Sequence, residues 1–243
     1  MEWEAPAIVL DARPYGEGGA IVTLFTEAQG RHAGLARGGA SRGQQGLWQP
    51  GNLVEARWVG RLADQLGNVS GEMVHPAAAL AMDDPLALAL LASACAIAAD
   101  ALPEREAHPR LFTGLVSLIG HLAGGPEAVL GDYIRWEALL LAELGYGLDL
   151  ASCAATGSTE ELVFVSPKTG RAVSAAAGAP YAERMLPLPA FLRDPAIEAD
   201  DPEDWIAGLR TTGHFLARDV FGGRHRPMPE ARLRLADRVA GEA

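Results

Sequence analysis

Cysteine is scarce in this 243-residue chain: Cys95 and Cys153 stand far apart and form no CxxC pair. That excludes a disulfide-stapled secreted scaffold and suits a reducing compartment. Cys95 lies in an apolar run and reads as core. Long hydrophobic runs are missing too. The longest, Leu86 to Ala99, falls short of the roughly 18 to 20 residues a bilayer span requires and reads as a buried helix. No basic segment precedes the apolar residues of MEWEAPAIVL, so the start reads as a first strand rather than a secretory signal. Together these absences point to a cytoplasmic protein with no membrane partner. None of the six histidines pairs with acids or cysteines at ligand spacing, which leaves no metal site, no acid–base dyad and no implied cofactor. The cluster Gly16, Gly18, Gly19 lacks a GK[ST] continuation and reads as a hairpin turn, not a nucleotide-phosphate loop.

What is present is a globular composition, 49% hydrophobic and 21% charged, with a net charge of −11. Length allows two cores. An average field of that sign repels polyanions, so local basicity stands out. Residues 31–62 carry Arg31, Arg37, Arg42, Arg57 and Arg61 with Glu55 the only acid among them. Arg31 and Arg37 share one side of an alternating segment. Arg57 and Arg61 share a side of another, opposite Val54, Ala56 and Trp58. Four guanidiniums therefore line one surface if the two strands are neighbours. Arginine forks match phosphate oxygens and stack on bases, and aromatic residues supply stacking platforms. Trp48 and Trp58 are candidates for that role, although Trp58, opposite the arginines, reads as core. The arginines equally fit a solvated strand face, and charge alone does not choose.

Alternation over residues 7–26, 31–37, 53–62 and 67–74, with a short helical turn around 41–47, gives five short strands. That inventory predicts a small barrel of the OB type over residues 1–76. From residue 77 the period turns toward 3.6. Asp83-Asp84-Pro85 starts a helix to about Ala101, and further helices follow over about 108–122, up to 144, 202–220 and 229–240. A hairpin is expected at Leu162–Val165 and Arg171–Ser174, inside an insertion at about 150–185. The expected class is α+β: an OB barrel, then a mainly helical domain over 77–243. The last stretch concentrates Arg210, Arg218, Arg224, Arg226, Arg232, Arg234 and Arg238, either added phosphate contacts or solvated helix surface. Gly39-Ala40-Ser41-Arg42-Gly43 fits the hydrolase elbow G-x-S-x-G, but that elbow needs a strand feeding a long helix, which Gly46 and Pro50 forbid here.

The run of EWEAPAIVLDARPYGEGGAIVTLFT, GRHAGLARGGASR, QPGNLVEARW, Gly145-Tyr146-Gly147-Leu148, SPKTGRAVS and Arg224-His225-Arg226-Pro227 resembles the RecO family of bacterial recombination mediators across essentially the whole chain. The resemblance implies an N-terminal OB fold, binding of single- and double-stranded DNA, annealing of complementary strands, and work with RecR and RecF to load RecA onto strands coated by single-strand-binding protein. It implies contact of the helical domain with the acidic-hydrophobic C-terminal tail of that protein, in a groove near basic residues of the C-terminal half. Arg37 and Arg42 are the clearest DNA-contact carry-overs, since they fall in the matching run. Some members hold zinc in a CxxC…CxxC site at the hairpin. Here Cys153, Thr156, Ser174 and Ala177 occupy those positions, so the hairpin is expected to fold without metal on Leu162, Phe164 and Val173. A protein–protein adaptor that does not bind DNA is the alternative to a non-catalytic DNA mediator, and a hydrolase using Ser41 is a further rival.

Overall fold

The computed structural model describes residues 1–61 and 66–242 and divides into two compact units, Met1–Gly124 and Gly125–Ala243. In the first, β1 (Glu2–Tyr15), β2 (Gly19–Thr26), β3 (Gly30–Ala36), β4 (Leu53–Val59) and β5 (Gly67–His75) close into a barrel in the order β1-β2-β3-β5-β4. This is the OB arrangement. β4 ends at Val59, short of the strand expected up to Leu62, so Arg61 lies beyond the strand and does not share its face with Arg57; Leu62 itself lies outside the described residues. β1 serves two neighbours: its first half pairs with β4 and its second with β2, with a register shift between Val9 and Asp11 where the strand bends. Strict alternation fills the interior with Ala20, Val22, Leu24, Ala36, Val54, Ala56, Trp58 and Val69. Trp48, only 3% exposed, joins them, which corrects its candidacy as a stacking platform: its indole fills the barrel.

Three helices, α1 (Ala77–Leu80), α2 (Pro85–Ala101) and α3 (Pro109–His121), belong to the same unit as the barrel. Asp84 caps α2 by accepting from the Leu86 and Ala87 amides at 2.9 and 3.0 Å, and Pro85 occupies the first turn. Cys95 on α2 is 1% exposed, its thiol reaching the Val9 carbonyl at 3.7 Å, and burial pushes its pKa up to about 12. The link between α2 and α3 forms a strap. Glu104 bridges to Arg31, and the Arg105 amide donates to the Arg31 carbonyl at 2.8 Å. Only glycine fits beneath it at position 30, where φ is +63° and a Cβ would lie 2.0 Å from the Glu106 carbonyl oxygen.

The second unit holds α4 (Glu127–Glu143), α5 (Ala175–Gly178), α6 (Pro202–Phe215) and α7 (Glu230–Glu242), with β6 (Leu162–Val165), β7 (Ala172–Ser174) and β8 (Leu186–Pro187) in a small sheet. The helix expected to reach residue 220 ends at Phe215 and widens into a π turn over Leu216–Phe221. From it Arg218 donates to the carbonyls of Pro167 and Lys168, clamping the hairpin turn. Glu137 and Arg232, 0% and 2% exposed, sit at the centre. Arg232 meets both carboxylate oxygens, at 2.5 and 2.9 Å, while Tyr133 and Thr212 donate to them at 2.6 and 2.5 Å. Burial works against the guanidinium's charge, yet the Glu137 carboxylate more than offsets it and raises its pKa. Arg232 therefore leaves the group of arginines read as phosphate contacts or solvated surface. It is a core residue.

Candidate nucleic-acid interface

The interior set fixes where the predicted arginines point. With Ala36, Val54, Ala56 and Trp58 inside, Arg31, Arg37 and Arg57 lie on the outer face of the barrel. The strands carrying them are not neighbours, because β5 runs between β3 and β4. Leu35 pairs with Asn68, and Arg57 with Ser70, so Arg37, one step beyond the last β3–β5 pair, flanks Ser70 opposite Arg57 at about 10 Å, two strand spacings. Arg31 is six residues away along β3, about 20 Å.

The five differ in what holds them. Arg31 is committed to the fold: its Nε donates to the Leu102 carbonyl at 2.8 Å and its Nη2 lies 3.5 Å from Glu104. Arg57 is half-exposed and paired with Glu2 at 2.5 Å. Beyond it the outer face turns acidic, with Glu4 in register beside Arg57 and Glu55 opposite Glu72. Arg37 is exposed and touches the Asn68 amide oxygen at 3.0 Å. Arg42 and Arg61, also exposed, hold no ion pair among the described residues. The structure thus brings Arg37 and Arg57 together, leaves Arg42 and Arg61 open on the adjoining connections, and sets Arg31 apart. Ser41 lies in a series of turns with no long helix behind it, so the geometry of a nucleophile elbow is missing. Inside the barrel, His32 stands edge-on to Trp3 and Trp58 at 5.4 and 4.7 Å. Burial, aided by the Arg105 guanidinium, lowers its pKa against the opposing pull of Glu104 and the Gln29 backbone.

Sequence reasoning passed over Arg13 and Tyr15, exposed on the outer face of β1. The signal was their alternation with Ala12, which packs inward and so turns Arg13 and Tyr15 outward. In the second unit a recess of about 360 Å³ is lined by Ala138, Ala142, Leu148, Leu150, Leu192 and Arg193, an apolar floor with one cation. Another, of about 480 Å³, is lined by Glu127, Asp132, Glu198 and Asp200 with Arg135 and Trp205, and that charge disfavours a polyanion. At the hairpin, Cys153 accepts from the Ser174 amide at 3.3 Å. The Ser174 hydroxyl, then the Thr156 hydroxyl and the Ser174 amide, pull its thiol down to about 6. One thiol, two hydroxyls and the methyl of Ala177 do not make a tetrahedral zinc set. Hydrogen bonds to the Cys153 sulfur tie it to Ser174 and Thr156. Among the described residues no helix is long and apolar enough to cross a membrane.

Two family models cover this chain: "Recombination protein O N terminal" over residues 1–77 and "Recombination protein O C terminal" over residues 82–227. Among curated proteins, the chain is 59% identical over 240 residues to the DNA repair protein RecO of Granulibacter bethesdensis, covering 99% of this chain and 96% of that one. It is 56% identical over 243 residues to the protein of the same name from Gluconacetobacter diazotrophicus, covering 98% and 95%, and 55% identical over 242 residues to that of Acidiphilium cryptum, covering 98% and 96%. The barrel, the helical unit and these likenesses lead to one statement: the chain belongs to the RecO family of DNA repair proteins.

Proposed function

We propose that this protein binds single- and double-stranded DNA on the outer face of its barrel, a domain of residues 1–76. There it anneals complementary strands and helps load RecA onto strands coated by single-strand-binding protein, in concert with RecR and RecF. No bond changes in this reading. Arg37, Arg42 and Arg61 grip phosphates, with Arg57 recruited when its pair with Glu2 opens, and bases stay accessible for a second strand. Arg31 stays with the fold. The observation that carries the reading is the exposure of Arg37 and Arg42, within residues 31–62, where five guanidiniums stand with a single acid in a strongly acidic chain. Domain 77–243 serves partners: the apolar recess beside Arg193 suits the acidic-hydrophobic tail of single-strand-binding protein, taken by burial of its apolar end and pairing of its acids.

The test is a titration of a labelled single-stranded oligonucleotide, then its duplex, at low salt. Binding of both that weakens with added salt supports the reading. A second reading, a protein–protein adaptor that does not touch DNA, draws on the acids Glu4, Glu55 and Glu72 beside Arg57, and a flat titration at low salt selects it.

A further inference from the structure

Tyr15, the last residue of β1, is 55% exposed and pairs with Gly19 at the start of β2. Parity sets both on the outer face, since Ala12, Ala20 and Val22 pack inward. Beyond Gly19 comes β3, where Ala36 pairs with Ala20 and Leu35 with Ile21, so Arg37 falls one step further on, beside Gly19. A Cβ built on Gly19 would lie 2.8 Å from the Tyr15 carbonyl oxygen and 3.4 Å from the Leu35 Cδ1. The strands approach too closely there for a side chain. The outcome is a shallow trough about 10 Å across, two strand spacings, walled by Tyr15 and Arg37 and floored by bare backbone and Leu35. The two turns at its end are open, as Cβ atoms on Gly16, Gly18 and Gly38 would meet nothing within 4 Å, and they are tied by the Ala40 amide donating to the Gly18 carbonyl at 3.1 Å. Arg13 stands on the same face two residues before Tyr15. Its ion pair with Asp11, at 3.1 Å, is solvent-exposed and therefore weak.

A lone exposed aromatic residue is ordinary on a protein surface. What distinguishes Tyr15 is a floor beside its strand that bears no side chain at Gly19, with guanidiniums at Arg13, two residues before it, and at Arg37, two strands away and resting on Asn68 of β5. We propose that Tyr15 is a base-stacking residue: one unpaired base lies on its ring over Gly19, and Arg13 and Arg37 meet the flanking phosphates. The proposal rests on the DNA-binding reading above and deepens it, because a base held in a duplex stack offers no free face to the ring, whereas every unpaired base does. This part of the barrel thereby selects single strands.

The experiment compares wild type, Tyr15→Ala and Tyr15→Phe on three labelled probes: oligothymidylate, an oligonucleotide of abasic sugars of equal length, and a duplex. Loss of one stack weakens binding of oligothymidylate by Tyr15→Ala by about 5- to 150-fold. Tyr15→Phe, which keeps the ring, stays near wild type, and all three proteins bind the abasic strand alike. Duplex affinity is unchanged within about twofold. Wild-type affinity for oligothymidylate left intact in Tyr15→Ala overturns the stacking proposal alone, as does an equal loss on all three probes. Failure of wild type to bind any probe overturns the DNA reading and takes the proposal with it. Thermal melts of Tyr15→Ala, expected to match wild type at so exposed a position, separate lost stacking from a lost fold.

Discussion

The sharpest consequence of the interface geometry is that arginines close in sequence behave differently when removed. Arg37, Arg42 and Arg61 are exposed, while Arg31 is held by the Leu102 carbonyl and Glu104. Each single-strand phosphate contacted contributes about −0.7 to the slope of log affinity against log salt, so contacts from Arg13, Arg37, Arg42, Arg57 and Arg61 together give about −3.5 and roughly a 130-fold loss of affinity between about 50 and 200 mM salt. The double variant Arg37→Ala, Arg42→Ala removes two of them. Its expected slope is about −2.1, and the same salt change costs only about 20-fold. Arg31→Ala should leave the slope at the wild-type value and instead lower stability, because it deletes a charged hydrogen bond that fastens the strap, about 1–3 kcal/mol. Fluorescence anisotropy of a labelled oligonucleotide over a salt series reads the slopes, and urea denaturation reads the stability. The reasoning fails if the double variant keeps the wild-type slope, or if Arg31→Ala flattens it as strongly.

Other consequences follow from the cores and the hairpin. Arg232→Met leaves the Glu137 carboxylate buried without its cation and is expected to cost the second unit about 3–5 kcal/mol, whereas pairing it with Glu137→Leu should restore much of that; urea melts of both variants check the recovery, and a double variant no more stable than the single refutes it. His32 has a pKa lowered from the ordinary 6.5, so the unfolded chain takes up the proton first and barrel stability declines as pH falls below that value. His32→Phe should remove this dependence, read from thermal melts between about pH 7.5 and 5.5. The Cys153 thiol, held down to about 6 from 9.0, favours its thiolate in the folded state, so its contribution to stability is present above the unfolded value and is lost as pH falls through about 6. Neither a chelator nor added Zn²⁺ should move the melting temperature; a drop on chelation would contradict the donor set found at the hairpin.

Local signals carried much of this architecture. The alternation of residues 31–36 and 53–59 reports strands and their inner faces, and Asp84-Pro85 marks the start of α2, because a period of two and an N-cap are decided by nearest neighbours. What escaped depended on partners far along the chain. That β5 separates β3 from β4 is a property of barrel closure, which no single strand encodes. The two-residue β8 is too short to show a period. Arg232 looked like one more solvated arginine because the carboxylate that buries it lies 95 residues earlier. In the interface, the sides of Arg31, Arg37 and Arg57 were legible but their commitments were not: Glu104 and Glu2 reach Arg31 and Arg57 only after folding.

The strap over β3 bears on how a partner polypeptide can engage this barrel. β5 pairs with β3 only over Gly34–Ala36. Ahead of that contact, the Arg31 carbonyl takes the Arg105 amide and the Ala33 carbonyl takes the Trp58 indole at 3.1 Å. Acceptors that an incoming strand would need are thus already engaged, and lengthening of the sheet by an extended peptide is closed off along this margin. Along this margin a polypeptide visitor has to be gripped by side chains and not by backbone pairing.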